Sequence, residues 1–139
     1  MANWYVSRER FKSAASISGG QFDDAVDRVI EASSRDIDRW TRRHYIPKTQ
    51  TRLYRYPQAR TSSATVLWLD QDLLSVSTLQ TKAQNTTPTT IASSDYFLEP
   101  NNPESDGNSR YNRVEIDDSS TAAFESGDTP QRSISVAGS

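Results

Sequence analysis

Residues 21–44 read QFDDAVDRVIEASSRDIDRWTRRH, and their period decides how the rest of the chain is divided. Phe22, Val26, Val29, Ser33, Ile37 and Trp40 recur at steps of three or four, so one helical face carries them all. Ala25, Ile30 and Ala32 widen that face, and Phe22, Val26, Val29, Ile37 and Trp40 are therefore expected to form the helix's buried core. Asp23, Asp24 and Asp27 near the start and Arg39, Arg42 and Arg43 near the end complement the helix dipole. Tyr45-Ile46-Pro47 closes the segment, because the residue before a proline is driven out of the α region.

Upstream, Ser7 is placed to cap a short helix, with Val6 and Phe11 at the staple positions, and Ser18-Gly19-Gly20 ends it near Ile17. Downstream, the period falls to two. Thr51–Tyr56, Thr65–Leu69, Leu74–Gln80, Asp95–Glu99, Arg113–Asp117 and Ser133–Val136 read as strands, with Asp70-Gln71-Asp72 as a turn and 84–90 and 101–109 as polar loops. The expected fold is α+β: a short and a long amphipathic helix (1–48) packed on a small, mainly antiparallel β region (49–139), together one domain.

A hydrophobic fraction of 34% in 139 residues implies a small core that partner surfaces could complete. No apolar run reaches the ~20 residues that span a bilayer, and the opening MANWYVSRERF lacks the order of a signal peptide, so a soluble protein made inside a cell is expected. The net charge of −2 hides an asymmetry. Up to Arg60 there are twelve Lys/Arg and seven Asp/Glu, a sum of +5; beyond it there are four and eleven, a sum of −7. A chain so divided can meet copies of itself head to tail.

Catalytic chemistry finds little to work with. There is no Cys, and His44, the single histidine, stands at a basic helix end that suits a cation regardless of any reaction. The adjacent carboxylates Asp23-Asp24 and Asp117-Asp118 lack the spacing of a calcium loop, and Gly19-Gly20 lacks the Lys and Ser/Thr of a phosphate loop. Asn85-Thr86-Thr87 fits a glycosylation acceptor but no secretory signal accompanies it. No enzyme activity, metal or cofactor is expected. The cluster Arg39-Trp40-Thr41-Arg42-Arg43-His44 with Lys48 could meet nucleic acid, although an overall pI near 5.4 and the place of Trp40 on the apolar face speak against a specific reader.

Several words of the sequence, taken in order, resemble the head-tail connector (adaptor) proteins of tailed bacteriophages. They are 23–43 (DDAVDRVIEASSRDIDRWTRR), Tyr45-Ile46-Pro47, Thr49–Arg52, Leu67–Asp70, Asp72–Leu79, Asp95–Pro100 and Ile134–Gly138. The resemblance implies a non-enzymatic virion subunit, made in the host bacterial cytoplasm and placed in the neck between head and tail. It implies a homo-oligomeric ring, usually twelvefold, that docks on the portal, lengthens the DNA channel and offers a platform to a stopper or tail-completion protein. Genomic DNA passes without sequence-specific binding, and no membrane is involved. Family members often continue past a Val-x-Gly segment into helices, so a helical tail beyond Ser139 is expected unless this is a short member. In such a ring Arg39, Arg42, Arg43 and Lys48 are expected to meet the portal or the acidic Asp70, Asp72, Asp117 and Asp118 of a neighbour. The alternative reading is a small nucleic-acid-binding module using the basic end of the long helix.

Overall fold

The structure is a computed structural model and describes residues 4–57, 64–101 and 110–139. The chain gathers into two compact units, Met1–Pro47 and Lys48–Ser139.

The first unit holds α1 (Arg8–Ala14) and α2 (Asp23–Thr41). Ser7 is extended, and its hydroxyl accepts from the Arg10 N–H at 3.2 Å, supplying a partner that the first helical turn lacks. α1 stops at Ala14, earlier than the glycines suggest, because Ser16 already adopts a left-handed conformation at φ 56°. α2 runs 19 residues and ends where Arg42 turns left-handed at φ 53°. Arg8 joins the helices by gripping the Asp27 carboxylate with Nε (2.6 Å) and Nη2, and Lys12 reaches Asp23. Between them Val26, Ile30 and Ser34 are buried, four residues apart on one edge of α2. The Ser34 hydroxyl donates to the Ile30 carbonyl at 2.7 Å and accepts from the Tyr5 N–H at 3.2 Å, so the buried polar atom is satisfied.

This corrects the expected core of the long helix. Val26 is buried, at 5% exposure, while Phe22, Val29, Ile37 and Trp40 are exposed. The physical reasons are width, which leaves Phe22, Val29 and Trp40 outside the covered strip, and length, since Ile37 lies on the line of Val26 and Ile30 but further along the axis. The apolar arc of α2 extends well past the strip that a seven-residue α1 and the segment around Tyr5 can cover.

The second unit contains β1 (Gln50–Tyr54), β2 (Val66–Leu73), β3 (Val76–Thr81), β4 (Thr89–Ile91), β5 (Tyr96–Glu99), β6 (Tyr111–Ile116) and β7 (Ile134–Gly138). Four strands form one sheet in the order β1-β7-β3-β4 and three form another in the order β2-β6-β5, all pairs antiparallel. Leu67, Leu73, Val114 and Ile116 from the smaller sheet join Leu79, Ile91, Ile134 and Val136 from the larger in one apolar core, which Phe124 completes from a connection. β7 is the most completely buried strand, as its place between β1 and β3 requires.

The fold class expected from sequence is thereby overturned. The chain is mostly β, with two sheets of four and three antiparallel strands and only 24% helix, rather than helices resting on a small β region. Strands of three to eight residues carry less periodic signal each than one long helix, yet seven of them close a core of their own. The turn expected at Asp70-Gln71-Asp72 is also strand: β2 runs through it to the buried Leu73, and the chain bends at Leu74 and passes into the other sheet as β3. The 3-10 turn Ser93–Asp95 opens β5, and β4 takes the end of the expected 84–90 loop. Most of the expected 101–109 loop lies outside the described residues.

Gly138 is required where it stands. A Cβ there would overlap the Ser75 carbonyl oxygen, because β7 passes directly beside the start of β3. Thr81, itself buried, is bound twice to the backbone of Glu125, donating to its carbonyl at 2.9 Å and accepting from its N–H at 2.6 Å. That pair fixes the long connection carrying Phe124 against the core.

Candidate interaction surfaces

Two surfaces stand out because they leave large apolar side chains in water. The first is the uncovered stripe of α2. Helical spacing aligns Phe22, Val29, Ile37 and Trp40, and all four are exposed, Trp40 to 88%. Small Ala25, Ala32 and Ser33 lie between them and are also exposed, leaving room for a close approach. Arg28 and Arg39 border the stripe on the same flank. Arg39 pairs with Asp36 at 3.5 Å, while Arg28 and Arg42 have no ion-pair partner among the described residues.

Below the end of α2 the chain is pinned by a polar knot. The Tyr5 hydroxyl donates to the Asp38 carboxylate and accepts from the Tyr45 N–H at 3.1 Å, and the two tyrosine rings meet edge to face at 5.8 Å. Arg35 lies 3.1 Å and His44 3.3 Å from the same carboxylate, whose side chain is nearly covered. Burial alone would raise the Asp38 pKa, but the Tyr5 hydroxyl, Arg35 and His44 outweigh it and hold the group below the ordinary carboxylate range. His44 thus serves as one partner of a structural carboxylate. The knot holds Tyr45 beside the end of α2 and so sets the direction in which Arg42 and Arg43 project.

The second surface is the outer face of the three-stranded sheet. Register places Val66, Glu115 and Phe97 in one cross-strand row and Trp68, Arg113 and Glu99 in the next. Alternation sends Leu67, Val114 and Leu98 into the core and these six outward. Trp68 and Phe97 are 56% and 55% exposed. The Arg113 guanidinium lies 5.2 Å from the Trp68 ring centroid and 3.6 Å from Glu99, so it stacks and pairs at once.

The remaining site residues named from sequence fall in different places. Arg39, Arg42 and Arg43 share the end of α2, whereas Lys48 is the first residue of the second unit. Asp70 accepts from the Tyr54 hydroxyl at 2.7 Å and lies 3.6 Å from Arg52. Burial first and Asp70 second push the Tyr54 pKa up to about 12. Asp72 is exposed two residues further along β2. Asp117 accepts from the Ser119 N–H at 2.8 Å and hydroxyl at 2.7 Å, and these bonds lower its pKa. Its neighbour Asp118 is exposed on the same turn. Of the adjacent carboxylates at the start of α2, Asp23 is taken by Arg8 and Lys12.

Sequence reasoning passed over Trp68, Phe97 and Arg113, although a signal was there. In 65–69 and 95–99, strict alternation with Leu67 and Leu98 inward requires Trp68 and Phe97 to point out. An open groove of about 270 Å³ between Thr90, Ile91, Asp95, Ala122 and Glu125 offers less, since Thr81 at its wall is committed to the Glu125 backbone. No family model, curated protein or solved structure matches the chain.

Proposed function

We propose that the chain is a non-enzymatic subunit of a head-tail connector ring that docks on the portal of a tailed bacteriophage, extends its DNA channel and presents a platform for stopper or tail attachment. The observation that carries this reading is the uncovered stripe of α2, ending in Trp40 among Arg39, Arg42 and Arg43. A small unit with such a stripe in water gains free energy when another protein surface covers it, and a subunit repeated around a closed ring meets the same surface in each neighbour. The order of sequence words that resembles connector proteins supports the same role. In this reading the ring is twelvefold and takes no cofactor. Arg39, Arg42 and Arg43 of the first unit, and Lys48 of the second, face the portal or acidic groups of a neighbour, among them Asp70, Asp72, Asp117 and Asp118. Gold-labelled antibody on intact and opened virions tests it. Label at the neck supports the reading, and label on the capsid wall or tail tip, or none on virions, overturns it.

A second reading is favoured by the exposure of Trp40. An aromatic ring in water beside three arginines suits stacking on bases with phosphate contacts, as a nucleic-acid-binding module would use them. Salt-dependent binding of short DNA by the monomer, lost on Trp40→Ala, would replace the ring reading.

A further inference from the structure

We propose that the uncovered stripe of α2 in one copy docks on the outer face of the three-stranded sheet of a second copy. The contact rests on the ring reading and names the two surfaces that make its repeating interface.

Charge decides which surfaces belong together. The stripe is bordered by Arg28 and Arg39 and ends at Arg42; of the two acids on that flank, Asp36 is paired to Arg39 and Asp24 stands one turn before Arg28. The sheet face has the opposite balance. Arg113 is neutralised by Glu99, and Glu115, standing between Val66 and Phe97, has no ion-pair partner among the described residues. Two stripes would bring arginines together, and two sheet faces would bring carboxylates together. A stripe on a sheet face sets Arg28 and Arg42 near Glu115 around an apolar centre of Val29, Ile37 and Trp40 on Val66, Trp68 and Phe97.

Dimensions agree. Three strands span about 10 Å between their outer members, and a helix with its side chains is about 10 Å wide. The three large side chains of the face stand on its two outer strands, with Glu115 between them and Arg113 stacked against Trp68. A helix laid along the face would cover Trp68 and Phe97 together. Because the surfaces differ, the contact is heterologous and repeats in one direction, which closes into a ring when the rotation per copy divides the circle.

The chain has no cysteine, so single thiols report the contact cleanly. Val29→Cys and Phe97→Cys place one thiol on each surface, and both positions are exposed. Under mild oxidation an equimolar mixture should form the mixed dimer about tenfold faster than either variant dimerises alone, because docking raises the local thiol concentration. Adding Glu115→Lys to the Phe97→Cys chain should slow the mixed reaction. The double variant should give a ladder of multimers.

Dimerisation of the Val29→Cys variant alone at the mixed rate would mean that stripes pair with stripes and would overturn the proposal. A double variant that cross-links only within one chain would show the surfaces closing on each other in the monomer, and overturns it equally. No excess of mixed dimer at hundreds of micromolar protein would rule the contact out. The ring reading would still stand or fall separately by the number of copies on the portal.

Discussion

Val26 and Val29 stand one turn apart on α2, yet Val26 is 5% exposed and Val29 52%. Helical geometry separates their side chains by most of a right angle, and α1 reaches only the first. The difference reverses what periodicity alone suggests about which substitutions the fold tolerates.

Val26→Asp or Ile30→Asp should destabilise the first unit by more than about 3 kcal/mol, since each buries a carboxylate without a partner. Val29→Asp and Ile37→Asp should leave its melting within about 0.5 kcal/mol of the parent, because both side chains lie in water. Thermal melts followed by circular dichroism compare the four. Equal losses in both pairs would place the buried face on the stripe after all.

The reading of α2 shows how far sequence reaches. The helix itself, its acidic start and basic end, and the capping role of Ser7 were all legible, because each is local chemistry within a few residues. Which half of its apolar arc is buried was not legible. That depends on the length of α1 and on the Tyr5–Asp38 knot, a bond between residues 33 positions apart. In the second unit the strand runs could be read, but not their weight in the fold. Asp70-Gln71-Asp72 resembles a turn in composition, while within β2 it keeps the outward-inward-outward alternation of a strand. The interaction surfaces were half visible. The basic cluster follows from composition, whereas the Trp68–Arg113–Glu99 row needs the pairing of three strands.

Acid should loosen the first unit more than the second, where Asp117 is the one carboxylate among the described residues whose pKa is lowered. Asp38 and Asp27 both have folded-state pKa values held low, Asp38 by Tyr5, Arg35 and His44 against the cost of burial and Asp27 chiefly by Arg8. A depressed folded pKa contributes stability that is complete above the unfolded value near ~3.9 and is lost as pH falls through the folded value. Melting temperature should therefore drop steeply below about pH 4, and Asp38→Asn should flatten that slope while lowering stability at pH 7. An unchanged slope in the variant would remove Asp38 from the account.

Thr81→Val keeps the volume of a buried side chain but leaves the N–H of Glu125 without its partner and its carbonyl with only the Lys82 N–H at 3.4 Å. A loss of about 1–3 kcal/mol in urea unfolding is expected. A loss below a few tenths would mean that the connection carrying Phe124 holds without this pair.

Gly138→Ala should impair the second unit, because the added methyl meets the backbone at Ser75 and a strand would have to move. Backbone cannot turn aside as a side chain can. Amide exchange in β3 and β7 should rise together. Parent-like protection in both strands would show that the sheet accommodates the methyl.

Charge reversal of Arg42 and Arg43 to Glu should leave the monomer folded, as both are exposed, and block its assembly onto the portal. Partial rescue by reversal of an acidic group on the sheet face would identify the pairing. A double variant that builds normal connectors but delivers DNA poorly would assign the cluster to the channel instead.

The number of copies bound to one portal tests the central claim most directly. Native mass spectrometry of the portal mixed with excess protein, with electron microscopy of the same complex, should show a closed ring of many copies, twelve in the arrangement proposed. One or two copies per portal, or no binding, would contradict it.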